Sequence, residues 1–127
     1  MNEVLVDTSV WVDHFRHANE SLIDLLSLDM AMTHPMVVAE LACGTPPAPR
    51  EQTLADIATL PQSRQASLAE VRALIEREKL FGLGCGLVDL TLLASAMLTT
   101  GARLWTLDQR LCRLAERFQV AYLPAKH

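Results

Sequence analysis

The hydrophobic and polar positions along the chain predict short strands that alternate with helices. Four short apolar runs have the length and composition of buried strands. They are Glu3–Val6, Ala31–Thr33, Ala102–Leu107 and Val120–Leu123. Because strands that alternate with helices are typical of a parallel sheet covered on both faces, we expect an α/β fold with a short central sheet of about four strands.

Apolar residues at helical spacing predict the helices between these strands. Thr8 or Ser9 can cap the first helix, and Pro35 suits the first turn of a helix that ends by Gly44. The most apolar helical segment is Leu90–Leu98, which we expect at the centre of the molecule. The other segments with a helical apolar face are Leu22–Leu28, Glu51–Leu60, Leu68–Ile75 and Leu111–Phe118.

Composition narrows the class of protein. Half of the 127 residues are hydrophobic and a fifth are charged, so the chain is not disordered, and we expect residues 1–127 to form a single domain. The uncharged stretch Leu90–Leu98 is far shorter than the roughly 18 residues of a membrane span, and the amino terminus lacks the basic start of a signal peptide. Cys43, Cys85 and Cys112 share no close spacing, which argues against a disulfide framework or a zinc cluster. We therefore expect a cytoplasmic protein with no membrane segment.

Four acidic residues follow or interrupt the most apolar segments. Asp7 and Asp108 each directly follow a predicted strand, so both are expected at the carboxyl edge of the sheet. Glu40 and Asp89 lie within apolar stretches, where burial of an unpaired carboxylate is costly. No Lys or Arg lies within three residues of Asp7, Glu40 or Asp89. A bound metal ion would supply the missing positive charge, and hard oxygen ligands favour Mg²⁺ or Mn²⁺ over zinc.

Each of these acids, taken alone, has a simpler explanation. Asp7, Asp89 and Asp108 are each in a position to cap a helix, and Glu40 fits an exposed helix edge. The net charge of −4 also differs from the basic surface that is usual in nucleic-acid binders. Without the four acids, however, the chain has as many acidic as basic residues, so its excess negative charge equals that of the candidate site.

Four sequence blocks around these acids resemble the signature blocks of a PIN domain, and more narrowly those of VapC, the toxin ribonuclease of bacterial type II toxin–antitoxin pairs. The blocks are VDTSVWVD around Asp7, VAELACG around Glu40, LFGLGCGLVDLTLLASA around Asp89 and LWTLDQRL around Asp108. They follow one another in the family's order and spacing over nearly the whole chain. The resemblance implies a single PIN domain that acts as a Mg²⁺-dependent endoribonuclease and cleaves RNA phosphodiester bonds with metal-activated water.

The resemblance also implies roles for residues of this chain. The metal-binding and catalytic acids are expected to be Asp7, Glu40, Asp89 and Asp108. Hydroxyl residues match two positions that brace the acids or a water on the metal. One position is Thr8 or Ser9, and the other is Thr106. The divalent cation is expected to be Mg²⁺, with Mn²⁺ as an alternative.

The implied partners are an RNA substrate and a VapB-like antitoxin. We expect an antitoxin segment to lie near Trp11–Phe15 and to direct an Arg or Lys at the acids, because a guanidinium can replace the positive charge of a metal. The apolar helices at Leu22–Leu28 and Glu51–Leu60 offer a face for a homodimer.

Two features beside the acids are interpreted separately. Arg110 follows Asp108 by two residues and is a candidate contact for RNA phosphate, whereas Arg113 and Arg117 are interpreted as a solvent-exposed helix face. The glycines between residues 82 and 86 lack dinucleotide-binding spacing and predict a flexible loop beside Asp89. Relatives often carry a basic residue between the first two of these glycines, and this chain has Leu83 there.

Three other functions were weighed against this one. A PIN nuclease that processes RNA outside any toxin–antitoxin pair would carry the same acids, and a neighbouring antitoxin gene would separate the two. A catalytically silent PIN binding module is expected to lack one or more acids, and all four are present. A phospho-acceptor receiver domain would carry paired acids after its first strand and a lysine after its last, and neither pattern occurs.

Overall fold

The computed structural model describes residues 3–125 and has an α/β architecture, as predicted. In chain order its elements are β1 (Glu3–Val6), α1 (Thr8–His17), α2 (Glu20–Ser27), β2 (Ala31–Met32), α3 (Pro35–Ala42), α4 (Arg50–Ala58), α5 (Leu68–Glu78), α6 (Leu87–Leu98), β3 (Ala102–Trp105) and α7 (Gln109–Arg117). The predicted span of 1–127 includes residues 1, 2, 126 and 127, which lie outside the described residues.

The sheet is parallel, with the strand order β2-β1-β3. The central strand β1 pairs on one side with β2 and on the other with β3, where Val6 lies opposite Trp105. The backbone N–H of Asp7 donates to the Trp105 carbonyl over 2.9 Å. Because parallel strands end at the same edge, the residues that follow β1 and β3 are brought side by side.

The prediction of about four strands is wrong by one, since the sheet within the described residues has three. The predicted strand Val120–Leu123 makes only one parallel bridge, between Leu104 and Ala121, in which Tyr122 N donates to Leu104 O over 2.9 Å. The next N–H of this segment that could donate to β3 would be that of residue 124. This residue is Pro124, which has no N–H, so the pairing stops there.

The core is centred on helix α6, as its apolar composition predicted. Seven consecutive residues of α6 are buried, from Leu90 to Ala96, because the helix is covered around its whole circumference. Trp105 is also buried, and its ring packs at a tilt against Tyr122. Helix α6 has 12 residues, and no helix in the part of the chain described has the length and hydropathy that a bilayer span requires.

The helix termini differ from prediction in detail. Asp7, rather than Thr8 or Ser9, is the N-cap of α1, because β1 ends at Val6 and the carboxylate of Asp7 accepts from Ser9 N. Pro35 is in the first turn of α3, as predicted, and the helix is capped by His34. The predicted helix Glu51–Leu60 is α4, which begins and ends slightly earlier along the chain.

Candidate active site

Asp7 lies at the carboxyl end of the central strand and is buried, with 4% of its surface exposed. Two hydroxyl groups donate to the same carboxylate oxygen, Oδ2: Ser9 Oγ over 2.6 Å and Thr106 Oγ1 over 2.8 Å. The backbone N–H of Ser9 lies 3.4 Å from the same oxygen. These three contacts to one oxygen hold the carboxylate of Asp7 in one orientation.

The same two hydroxyls also hold the chain segment that follows β3. Leu107 N donates to Ser9 Oγ over 3.0 Å, and Asp108 N donates to Thr106 Oγ1 over 3.1 Å. Each hydroxyl therefore donates to Asp7 and accepts from one backbone N–H. This network fixes the start of α7 relative to the end of β1, and so positions Asp108 beside Asp7.

Asp108 is exposed and is the N-cap of α7. Its Oδ1 accepts from Arg110 N over 2.9 Å and from Leu111 N over 3.1 Å. The simpler explanation offered by the sequence, a helix cap, is thus correct for this residue. The cap uses one carboxylate oxygen, and the other accepts no hydrogen bond from residues 3–125.

Asp89 lies in the first turn of α6 and is half-buried. Its Oδ2 accepts from Gly86 N over 3.3 Å. Burial raises the pKa of this carboxyl, the Gly86 N–H lowers it, and the negative charges of Asp7, Asp108 and Glu40 raise it further. The other three candidate acids therefore lie close enough to Asp89 for their charges to act on it.

Glu40 is exposed on α3, and its Oε1 accepts from Thr8 Oγ1 over 2.6 Å. The expectation that apolar surroundings in sequence imply a buried carboxylate is therefore wrong for Glu40, and only Asp7 of the four acids is fully buried. The apolar neighbours Val37 and Leu41 face the core, whereas Glu40 lies roughly a quarter turn around the same helix, where it contacts Thr8 of α1.

The four carboxyl groups share a pattern of partners. One oxygen of each accepts hydrogen bonds from the protein, and the other accepts none from residues 3–125. None of the four forms an ion pair with a Lys or Arg within these residues either. Free carboxylate oxygens without a basic partner are the donor set that a hard divalent cation prefers. As they stand, no three His, Cys, Asp or Glu side chains in this range form a metal-binding group, so coordination by three acids requires their free oxygens to turn inward.

The profile of one protein family, described as PIN domain, matches residues 4–117. The chain belongs to the PIN-domain family. Two curated relatives, both named Ribonuclease VapC32 and from the CDC 1551/Oshkosh and ATCC 25618/H37Rv strains of Mycobacterium tuberculosis, are each 46% identical to it over 108 residues. The matched region is 85% of this chain and 86% of each relative, which confirms the resemblance to VapC ribonucleases.

A solved structure supports the fold independently. The crystal structure of PAE2754 from Pyrobaculum aerophilum superposes on this PIN domain with a TM-score of 0.57 at 16% sequence identity. The match covers 93% of this chain and 90% of that chain. The two proteins therefore share the α/β fold even though few of their residues are identical.

This PIN domain places Arg110 against the glycine loop rather than against an acid. A Cβ atom at Gly84 would lie 2.7 Å from Arg110 Nη1, so the guanidinium rests directly on the Gly84 backbone. The thiol of Cys85 is near the same groups: burial raises its pKa, the charges of Asp89 and Asp108 raise it further, and Arg110 lowers it. Arg117, by contrast, pairs with Glu78 over 3.3 Å and lies away from the acids.

A groove lies between α1 and the segment that follows α3, on the stretch Trp11–Phe15 where the sequence predicts the contact with an antitoxin. This groove, here called the α1–α3 groove, has a volume of about 530 Å³. It is lined by Val12, Phe15, Arg16, Glu40, Leu41 and residues 44–47. The sequence signal for the groove itself is the spacing of Val12, Phe15 and Arg16 on one side of α1. It joins apolar surface to one of the four candidate acids.

Proposed function

We propose that this VapC-type PIN domain is the toxin of a type II toxin–antitoxin pair and cleaves RNA as a Mg²⁺-dependent endoribonuclease in the cytoplasm. The observation that carries the proposal is the set of four carboxyl groups at the carboxyl edge of the sheet, each with one oxygen that accepts no hydrogen bond from residues 3–125. Its support from comparison is the identity of 46% to Ribonuclease VapC32. All four acids are present, which argues against a silent binding module.

Different hydroxyl residues of the chain hold different acids of the site in place. Ser9 and Thr106 orient Asp7, and the same hydroxyls set the position of Asp108. Thr8 holds Glu40 toward α1. Asp7, Glu40, Asp89 and Asp108 would hold a divalent cation, which would supply positive charge to polarise a phosphate, lower the pKa of water and stabilise the leaving oxygen.

Electrostatics explain why these acids suit a cation and not bare RNA. Burial, together with the like charges of three neighbouring acids, raises the pKa of Asp89, which means that its ionised form is disfavoured without a counter-charge. RNA phosphate is repelled by the same charges. Mg²⁺ or Mn²⁺ relieves both effects, so we expect substrate binding at the acids to require the metal.

The antitoxin is proposed to occupy the α1–α3 groove. Its apolar residues Val12 and Phe15 suit a hydrophobic segment, and Glu40 at one end suits a basic side chain. Trp11, which the sequence suggested as part of this surface, is buried at 4% exposure and offers the partner little area. A guanidinium directed from the groove at the acids would replace the charge of the metal.

A second copy of the chain is proposed to pack on the exposed apolar side of α2, one of the two helices that the sequence offers for a homodimer. Ile23 and Leu28 are exposed at 42% and 66% of their surface at this face, in or directly after α2. Burial of both side chains in a homodimer removes apolar surface from water. Sedimentation of the wild type and of Leu28→Ser measures whether the oligomer depends on this face.

The ribonuclease proposal is tested by metal removal. Purified protein is incubated with a labelled single-stranded RNA in Mg²⁺, in excess chelator, and in chelator followed by added Mg²⁺ or Mn²⁺. We expect cleavage in the first condition, none in the second, and recovery in the third, because the carboxylates alone hold the ion. Full cleavage in excess chelator, or absence of cleavage in every condition, contradicts the proposal.

A further inference from the structure

Arg110 is a cation beside an acidic site that neutralises none of its acids. The side chain is exposed, and within residues 3–125 it forms no hydrogen bond and no ion pair. Only its backbone N–H is used, in the cap of α7 by Asp108. Its charge nevertheless acts on the Cys85 thiol together with the charges of Asp89 and Asp108. The five N–H donors of the guanidinium are thus available for a ligand next to the catalytic acids.

The glycine loop is shaped to hold this guanidinium. A Cβ at Gly84 would lie 2.7 Å from Arg110 Nη1, 2.9 Å from Cδ and 3.0 Å from Cζ, distances that no side chain at this position can accommodate without moving the arginine. Gly82 has a similar left-handed backbone, with φ of +73° against +85° at Gly84, but a Cβ there would meet nothing within 4 Å. At Gly82 the absence of a side chain only permits the left-handed backbone. At Gly84 it permits the left-handed backbone and also the close approach of Arg110.

A cavity opens where Arg110 lies. It has a volume of about 410 Å³ and is lined by Asp108, Gln109, Arg110 and Arg113; we call it the α7 cavity. Arg113 is one helical turn after Arg110 on the same exposed side, and its side chain has no ion-pair partner among residues 3–125. Two guanidinium groups and an amide supply many donors, so the ligand of this cavity must be rich in acceptors and negatively charged.

We propose that the α7 cavity binds an RNA phosphate adjacent to the one that is cleaved. Arg110 contacts and positions this phosphate, and Gly84 leaves the space in which the Arg110 guanidinium lies. A guanidinium binds a phosphate through two parallel hydrogen bonds, which fixes the strand in orientation as well as in place. Asp108 lines the same cavity, so a phosphate held there directs the next phosphate of the strand toward the four acids. This proposal rests on the ribonuclease function proposed above.

The proposal is tested by RNA binding in a background that does not cleave. In Asp89→Asn with Mg²⁺, the affinity for a labelled single-stranded RNA is measured by fluorescence anisotropy over a series of salt concentrations. Arg110→Gln is expected to weaken binding on the order of tenfold and to lower the slope of log affinity against log salt by about 0.7, the value for one phosphate contact on a single strand. Arg110→Lys is expected to keep the slope and lose part of the affinity. Arg72→Gln, an exposed arginine of α5 outside the cavity, is the control for loss of one positive charge and should change neither.

The role of Gly84 in placing Arg110 is tested by a matched pair of glycine variants. Gly84→Ala and Gly82→Ala place the same methyl group on a left-handed backbone, but only the first displaces Arg110. Because the flexible side chain of Arg110 can shift away from an added methyl group, we expect Gly84→Ala to lose only part of the RNA affinity that Arg110→Gln loses. Gly82→Ala should have a much smaller effect, and the double variant Gly84→Ala with Arg110→Gln should bind no more weakly than Arg110→Gln alone. Thermal melting of each variant establishes that it is folded.

The outcomes separate this proposal from the function on which it rests. If the wild type cleaves RNA but Arg110→Gln leaves both affinity and salt slope unchanged, the phosphate site is wrong and the ribonuclease function stands. A lower melting temperature with an unchanged salt slope gives Arg110 a structural role only and also overturns the site. If the wild type neither binds nor cleaves RNA, the ribonuclease function itself is wrong. Weaker binding and a lower slope in Arg110→Gln, with no change in Arg72→Gln, support the phosphate site.

Discussion

At the scale of single residues, the carboxyl group of Asp7 is the most constrained group of the site. It is buried, and both hydroxyl hydrogens that approach it go to Oδ2, from Ser9 and from Thr106. Since the same hydroxyls accept from Leu107 N and Asp108 N, loss of one hydroxyl affects two acids at once. The polar network, rather than the metal ligands alone, is therefore expected to set activity.

Thr106→Val removes the hydroxyl and preserves the shape of the side chain. Asp7 then loses one donor and Asp108 N loses its acceptor, so we expect activity to fall about 10- to 100-fold and the free energy of unfolding to fall by about 1–3 kcal/mol. Thr106→Ser, which keeps the hydroxyl, is the matched control and should retain most of the activity. RNA cleavage rates and urea denaturation measure the two effects. Equal activity in both variants would show that the hydroxyl does not support the acids.

Asp7→Asn and Asp89→Asn each remove one negative charge with little change of shape. We expect both variants to fold and to lose activity, because each removes one of the proposed ligands of the cation. Burial and neighbouring charges raise the pKa of Asp89 above the usual 3.8, so its ionisation lowers the stability of the metal-free protein as pH rises above that value. Metal-free Asp89→Asn is therefore expected to melt above the wild type at neutral pH.

The control for these two variants is Asp56→Asn, which removes a charge from the exposed face of α4. It should leave both cleavage and melting temperature nearly unchanged. Cleavage by Asp7→Asn or Asp89→Asn at the wild-type rate would remove these residues from the site. Unfolding of both would show that their role is structural.

At the scale of elements, the beginning of α3 depends on a histidine. His34 is buried, and its Nδ1 accepts from Met36 N over 3.0 Å, which caps the helix that carries Glu40. With Nδ1 as acceptor, the proton is on Nε2, which lies 3.2 Å from Ser95 Oγ of α6. The neutral imidazole therefore joins α3 to the central helix, and a proton on Nδ1 would break the cap.

Stability is expected to depend on pH through this residue. Burial lowers the pKa of His34 below the usual 6.5, so the unfolded chain binds the proton more readily than the folded protein. The free energy of unfolding is therefore highest above pH 6.5 and falls as the pH is lowered from 6.5 toward the pKa of the folded state. His34→Asn, whose side chain can still cap the helix, should flatten this dependence.

The exposed His17 provides the comparison for this experiment. Urea denaturation of the wild type, His34→Asn and His17→Asn at a series of pH values gives the three slopes. We expect His17→Asn to keep the slope of the wild type. If His34→Asn also keeps it, another group is responsible for the pH dependence.

At the scale of the whole molecule, the negative charge and the apolar groove are arranged for different partners. The four acids carry the excess charge of the chain, whereas the α1–α3 groove extends from Glu40 along Val12 and Phe15. RNA cleavage is proposed to require the acids and antitoxin binding is proposed to require the groove, so we expect mutation to separate the two functions.

Phe15→Ser is expected to weaken antitoxin binding on the order of tenfold or more while RNA cleavage persists, because an aromatic side chain in a groove is a typical anchor. Cells that express this variant with the neighbouring open reading frame should therefore remain growth-inhibited. Leu68→Ser, at an exposed residue of α5 outside the groove, should still be rescued. Pull-down and growth assays measure both results. Normal rescue of Phe15→Ser would place the antitoxin elsewhere.

Much of this molecule was determined by local sequence. Helix α6, the positions of β1 and β3, and Pro35 in the first turn of α3 all follow from apolar periodicity and capping residues, which depend on neighbours a few positions apart. The four candidate acids were also evident, since each follows or interrupts an apolar segment. The extra strand predicted at Val120–Leu123 shows the limit of prediction from local sequence. An apolar run does not reveal how many bridges a segment forms with its neighbouring strand.

Only the tertiary structure decided which side chains meet. Hydrogen bonds join Thr106 to Asp7 and Thr8 to Glu40, and the Arg110 guanidinium lies against Gly84. Each of these contacts is between residues that are far apart in sequence. The burial of each acid was decided in the same way, since Glu40 faces outward from an apolar helix. The physical reason is that such contacts depend on how the strands order themselves as β2-β1-β3 and how the helices pack on them, and this arrangement minimises free energy over the whole chain at once rather than over any local segment.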